Sequence, residues 1–368
     1  MNLLLLCDHY YPYIGGAEVV NRHIAEYFSK KFRVTVITRP VQGIMESREK
    51  VNNVTVCRTV RVPRSLHSIV AYMKARRLAA HADVILCATY ASALAGYWLA
   101  WQFKKKSIVM VHEILSENWR YFKPSSYFLY RGYEHYIVTR RFDRYLAFSL
   151  YTKKKLMEYG VPESSINVIY HGVDGSLFYP RPPDESLRKS LVKDAPFVYL
   201  YFGRPGGSKG LSYLIRAVPE ISQAIPGSVL LLILSRETKA EYRRARHLID
   251  AVNAATGSIV VIDPVPLERL PDYINVADTI VIPSLSEGFG FSAAESCMMG
   301  KKVVVTDTGS LPEVVFGKVV KVKKADSQAL AQGVIRMFHN DFEIIEPKLF
   351  SWEKTLPEYE SVIRSLVN

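Results

Sequence analysis

Short apolar runs recur along the chain, each followed by a polar or glycine-rich step and then a stretch with helical spacing. Asn2–Cys7 reads as a buried parallel strand, and Phe32–Thr38, Val54–Cys57, Asp83–Ala88 and Ser107–Glu113 as further strands. Ala17–Phe28, Ser65–Ala80 and Ala91–Trp101 between them read as helices. This alternation predicts an α/β doubly wound parallel sheet, whose ligands sit at the carboxyl ends of the strands. Tyr145–Phe148 and Asn167–Tyr170 are further short strands around a helix, Tyr151–Tyr159. Phe178-Tyr-Pro-Arg-Pro-Pro183 then marks a stiff connection and a domain boundary near 171–190. Beyond it the pattern restarts, with strands at Phe197–Phe202, Ser228–Leu234, Ile259–Ile262, Thr279–Ile282 and Val303–Val305. Ser351–Val367 is a closing helix that Ser351 can cap. The expectation is two domains, 1–175 and 176–350, with the helix 351–368 at the end.

Charge changes this picture for the first half only. The net charge of +13 is uneven: residues 1–180 carry 25 Lys and Arg against 13 Asp and Glu, and residues 181–368 carry 23 against 22. The first half therefore faces an anionic partner, for which a membrane surface, a phosphorylated acceptor and nucleic acid are the candidates. Residues 118–136 are dense in aromatics interleaved with Arg120, Lys123 and Arg131 beside Trp119, and basic runs flank them. Such a belt suits an anionic bilayer interface, or else a core-facing aromatic helix with solvated charges. No recognised nucleic-acid module accompanies it, so nucleic acid is set aside. Cys7, Cys57, Cys87 and Cys297 are far apart with no C-x-x-C, and read as buried thiols. No run reaches transmembrane length and Leu3–Cys7 is too short for a signal-peptide core, so a cytoplasmic location is expected, at most peripheral on a membrane.

Four stretches carry candidate chemistry. Gly15 and Gly16 follow the first strand and allow close backbone approach at a helix N-terminus, or simply make a tight turn. This is not G-x-G-x-x-G, so no dinucleotide site is expected. His112 stands at a strand's carboxyl end, either as a group reaching a reacting centre or as a hydrogen-bonded structural histidine. Gly203-Arg204-Pro-Gly-Gly-Ser-Lys209-Gly210 between strand and helix reads as a phosphate cradle: Arg204 forks onto a diphosphate and Lys209 adds a point charge. It is not a Walker A loop. Glu287-Gly288-Phe289-Gly290-Phe291 follows another strand, and Glu295 lies eight residues after Glu287 on the next helix. Sugar and ribose hydroxyls donate to carboxylates, so a nucleotide-sugar offers what this pair can hold. No D-x-D occurs and cations already occupy the phosphate site, so no metal and no other cofactor is expected.

Together Gly15-Gly16-Ala-Glu18, His112, His171-Gly-Val-Asp174, Gly203-Arg204 with Lys209-Gly210, Glu287-Gly-Phe-Gly with Glu295, and the closing Ser-Trp-Glu helix resemble glycosyltransferase family 4, the retaining GT-B enzymes, over nearly the whole chain. The resemblance implies two Rossmann-like domains facing a cleft, with the last helix crossing back to the first. It implies a UDP- or GDP-linked sugar as donor, with Arg204 and Lys209 on the diphosphate and Glu295 on the ribose. Glu287 and the Phe289-Gly290 backbone take the sugar, His112 lies near the reacting carbon and Gly16 near the diphosphate. His171 replaces the family's commoner Asn. The acceptor expected here is a lipid or lipid-linked glycan at a membrane face, contacted from the side of Trp119, Arg120, Lys123 and Arg131. The alternative is a small soluble sugar or sugar phosphate, and outside the enzyme class a non-catalytic scaffold.

Overall fold

The computed structural model describes residues 1–12, 15–41, 46–236 and 239–367. They divide into two compact units, one of Met1–Glu117, Ser125–Gly172 and Phe350–Asn368, the other of Asn118–Pro124 and Val173–Leu349.

The first unit is built on β1 (Asn2–Leu6), β2 (Arg33–Thr38), β3 (Arg48–Val51), β4 (Val54–Arg58), β5 (Val84–Ala88), β6 (Lys106–Val111), β7 (Arg144–Ala147) and β8 (Ile166–Val168). Their order is β3-β4-β2-β1-β5-β6-β7-β8, parallel throughout except for the antiparallel β3–β4 pair. Leu3–Leu6 and Val84–Ala88 are buried, as strands covered on both faces must be. The strand order reverses between β1 and β5, which puts a ligand crevice at their carboxyl ends.

The closing helix, Trp352–Val367, belongs to this unit. The Trp352 ring stacks on His23 at 4.1 Å, and Tyr27 Oη donates to Glu360 Oε2 at 2.7 Å. Gly172 of the His-Gly-Val-Asp stretch lies under this helix's start. A Cβ there would sit 2.3 Å from the Trp352 amide nitrogen, so only glycine admits the helix.

The second unit contains β9 (Val198–Gly203), β10 (Val229–Leu234), β11 (Ile259–Ile262), β12 (Thr279–Ile282), β13 (Lys302–Thr306), β14 (Gly317–Val322) and β15 (Glu343–Ile345). The order is β11-β10-β9-β12-β13-β14-β15, with only β15 antiparallel to its neighbour. Without β15 this is the Rossmann order 3-2-1-4-5-6, with its switch point between β9 and β12. The glycine-rich loop leaves β9 and the Glu287 loop leaves β12, so the topology alone brings these two candidate stretches side by side. The short antiparallel edges β3 and β15 and the parallel strand β14 were not read from the sequence. Residues 48–51 are mostly polar, and 343–345 form a run of three residues too short to show a strand's apolar alternation; neither is buried.

Candidate functional site

Beyond β9 the chain passes Arg204 and makes a 3₁₀ turn, Gly207–Lys209, before the helix Leu211–Ala224. Gly210 enters that helix with φ +63°, and a Cβ on it would lie 1.9 Å from the Pro283 carbonyl oxygen. Glycine is obligatory here for both conformation and space. The helix N-terminus, Gly203 and the turn form a concave end rich in N–H groups. Arg204 is exposed, and its carbonyl accepts from Tyr201 Oη at 2.6 Å.

The loop after β12 is buried throughout residues 283–290. Glu287 is 9% exposed. Its Oε1 accepts from Lys209 Nζ at 2.6 Å and from Ser284 Oγ at 2.8 Å. The Leu285 amide donates to the Ser208 carbonyl at 2.7 Å, tying this loop to the phosphate turn. Gly290, with φ +94°, caps the helix Phe291–Met298. Phe289 is buried and lies edge-on to Phe291 at 5.1 Å. A small cavity between the loops is lined by Tyr201, Gly203, Lys209, Ser284, Glu287 and Ser292. Glu295, on the helix, is partly buried, and desolvation pushes its carboxyl up to about 7. Arg204, Lys209, Glu287 to Phe291 and Glu295 are thus gathered at one end of one sheet.

A third loop takes part that the sequence did not assign to the site. Thr306–Ser310, after β13, accounts for the carbonyls of the Glu287 loop. Thr308 Oγ1 donates to the Leu285 carbonyl at 3.3 Å, Ser310 Oγ to that of Phe289 at 2.7 Å, and the Ser310 amide to that of Glu287 at 3.1 Å. Gly309 has φ +59°, and a Cβ there would lie 2.4 Å from the Glu287 carbonyl oxygen. The available signal was the run of hydroxyls and glycine, Thr-Asp-Thr-Gly-Ser, at a strand's carboxyl end.

The remaining candidates lie elsewhere. In the first unit Gly15 caps the helix Gly16–Ser29, and His112 follows β6. The His112 amide donates to Thr89 Oγ1 at 3.3 Å, and its ring lies 5.0 Å from that of Phe148. Its Nε2 is buried and makes no hydrogen bond among the described residues. Burial lowers the imidazole to about 4, so it is neutral at pH 7. The loop after His112 is held by Glu134, a fully buried carboxylate that accepts from the Leu115 and Ser116 amides, each at 2.7 Å. Arg131 is exposed on the helix Tyr127–Val138 and donates to Tyr127 Oη at 3.0 Å. Trp119, Arg120 and Lys123 belong instead to the second unit.

Two family models match the chain: Glycosyltransferase Family 4 over residues 14–177 and Glycosyl transferases group 1 over residues 196–340. The chain belongs to glycosyltransferase family 4. Its two sheets are those of the GT-B fold. The sucrose-phosphate synthase of Thermosynechococcus elongatus superposes with a TM-score of 0.84 at 20% identity, over 99% of this chain and 98% of that one.

 The Anabaena protein HepE in complex with UDP and glucose superposes with a TM-score of 0.77 at 19% identity, over 99% of this chain and 100% of that one. Among curated relatives, the D-inositol 3-phosphate glycosyltransferase of Rhodococcus erythropolis is 30% identical over 201 residues, 53% of this chain and 44% of that protein. That of Pseudarthrobacter chlorophenolicus is 26% identical over 325 residues, 82% and 76%. The chain spans 37 to 44% of the length of the first three curated relatives it matches.

Proposed function

We propose that the protein transfers a hexose from a nucleotide-diphosphate sugar to a hydroxyl of a small phosphorylated acceptor. The observation that carries this is the Lys209–Glu287 pair at the mouth of the glycine turn, with Arg204 exposed beside it. Arg204, Lys209 and the turn's N–H groups take the diphosphate, where negative charge grows as the glycosidic bond breaks. Glu287 accepts from hydroxyls of the sugar, the Phe289-Gly290 backbone borders it, and Glu295 accepts from the ribose. Neutral His112 contributes a hydrogen-bonding nitrogen toward the reacting sugar, and Gly15 and Gly16 let backbone approach the donor. Transfer proceeds with retention and without a metal, the leaving phosphate taking the acceptor proton.

The names of the relatives favour the phosphorylated acceptor over a lipid, and the excess of Lys and Arg in residues 1–180 suits it. The lipid reading keeps one observation of its own. Phe128 is 83% and Leu129 73% exposed on the helix that carries Arg131, although no helix among the described residues is long and apolar enough to cross a membrane. One experiment separates the two. UDP- and GDP-linked glucose, N-acetylglucosamine and mannose are offered with inositol phosphate or hexose phosphates, with and without anionic vesicles. Transfer to a soluble phosphate without vesicles is expected. Transfer only to a vesicle-borne acceptor moves the conclusion to the lipid, and no donor binding at all removes the enzyme reading.

The Glu295 role has a pH signature. Its carboxyl is raised, so the folded protein favours the protonated form below about 7. This contribution to stability is full below the unfolded carboxylate value and is lost as pH rises toward 7. Ribose hydroxyls donate to the ionised form, so binding has the opposite slope. Calorimetric affinity for the donor should rise with pH up to about 7, by at most about tenfold per unit, and then level off. Glu295→Gln should flatten the profile; a flat wild-type profile removes Glu295 from the ribose.

A further inference from the structure

Residues 118–124 lie in sequence between two pieces of the first unit, yet they belong to the second. They meet the donor loops at two points. Asn118 is 1% exposed, and its Oδ1 accepts from Lys324 Nζ at 2.8 Å. Lys324 Nζ also donates to Thr308 Oγ1 at 3.3 Å. Thr308 Oγ1 donates to the Leu285 carbonyl, two residues before Glu287. The Leu285 amide returns to the Ser208 carbonyl in the phosphate turn. At the other end of the segment, the helix Trp119–Phe122 packs on that turn, with Phe122 Cδ1 3.4 Å from where a Cβ of Gly207 would stand. The contacts close a ring from Asn118 through Lys324, Thr308, Leu285 and Ser208 back to Phe122.

We infer that Asn118–Phe122 is a positioning element of the donor site, setting the phosphate turn against the Glu287 loop. The inference rests on the donor site proposed above. A ring of this kind fixes spacing. Lys209 and Glu287 sit on its two loops, 2.6 Å apart, and their separation decides whether diphosphate and sugar are held together. Among the described residues Asn118 reaches these loops through Lys324, so it acts as a positioning residue.

The test is Asn118→Leu, which removes the acceptor at similar size. Hydrogen exchange on the unliganded protein should show faster exchange, by about tenfold, at the Leu285 amide and the Gly207–Lys209 turn, with the first sheet unchanged, as expected when a hydrogen bond to a charged group is lost. Donor affinity should weaken by about the same factor while the acceptor KM holds. Asn118→Asp, which still accepts from Lys324, should restore both. Lys324→Met removes the same bond from the other side, and the double variant should be no worse than the worse single one. Wild-type exchange and affinity in Asn118→Leu overturn the inference. So does a Lys324→Met loss that adds to that of Asn118→Leu, because it marks an independent contact. If the wild type binds no nucleotide-sugar, the donor reading falls, and the exchange rates still decide whether Asn118 positions the loops.

Discussion

Lys209→Ala is expected to weaken nucleotide-sugar binding by about 1.5–3 kcal/mol, the range for a hydrogen bond to a charged group. Two effects work in the same direction. The diphosphate loses a point charge, and Glu287, 9% exposed, keeps only Ser284 Oγ of the partners its Oε1 has now. A carboxylate left buried without its cation is costly, so the Glu287 loop should also loosen. The loss in kcat/KM should exceed the loss in affinity, because the charge that Lys209 meets is largest in the transition state. Glu287→Gln made alongside it separates the terms: if the two residues act as a pair, the double variant loses less than the sum of the singles. Calorimetry and initial rates check both, and unchanged donor affinity in Lys209→Ala removes the residue from the site.

Gly210→Ala is expected to be as severe for a different reason. The backbone there is left-handed, at φ +63°, which costs a side-chain-bearing residue about 1–3 kcal/mol. Its Cβ would also stand 1.9 Å from the Pro283 carbonyl oxygen, so the turn and the strand exit must separate. That separation breaks the spacing of Lys209 and Glu287, and donor binding should be lost. The melting temperature should fall by on the order of 2–4 °C per kcal/mol for a unit of this size. Gly132→Ala is the control. That glycine sits in an exposed part of the helix Tyr127–Val138, and nothing lies within 4 Å of a Cβ there, so the melting temperature should hold or rise slightly. Donor binding retained in Gly210→Ala would mean that the turn adapts, and that the close approach is not what holds the site.

Most of the parallel strands were legible because strands covered on both faces must be apolar along their whole length. Leu3–Leu6 and Leu230–Leu234 announce themselves in this way. The parallel strand β14, Gly-Lys-Val-Val-Lys-Val, was missed because its lysines interrupt the apolar run. The glycines of the phosphate turn were legible as turn chemistry, but their reason was not. Gly210 answers to Pro283 and Gly309 to Glu287, partners 73 and 22 residues away in sequence. The edge β3 was missed because it is mostly polar, and the edge β15 because it is only three residues long. Thr306–Ser310 was missed as part of the site because its hydroxyls serve backbone carbonyls, which no side-chain motif records.

By itself the sequence determined most of the alternation of strand and helix, and which residue types could meet a phosphate or a hydroxyl. These follow from local periodicity and local chemistry, and each is carried by neighbours in the chain. Only the tertiary structure decided which loops share a sheet end, because strand order is set by packing and not by succession: β12 lies beside β9 although β10 and β11 come between them. It also decided that Asn118–Pro124 belongs with the second unit, where Asn118 meets a lysine 206 residues further on. Contacts at that separation depend on where the whole backbone runs, and no local pattern of residues contains that information.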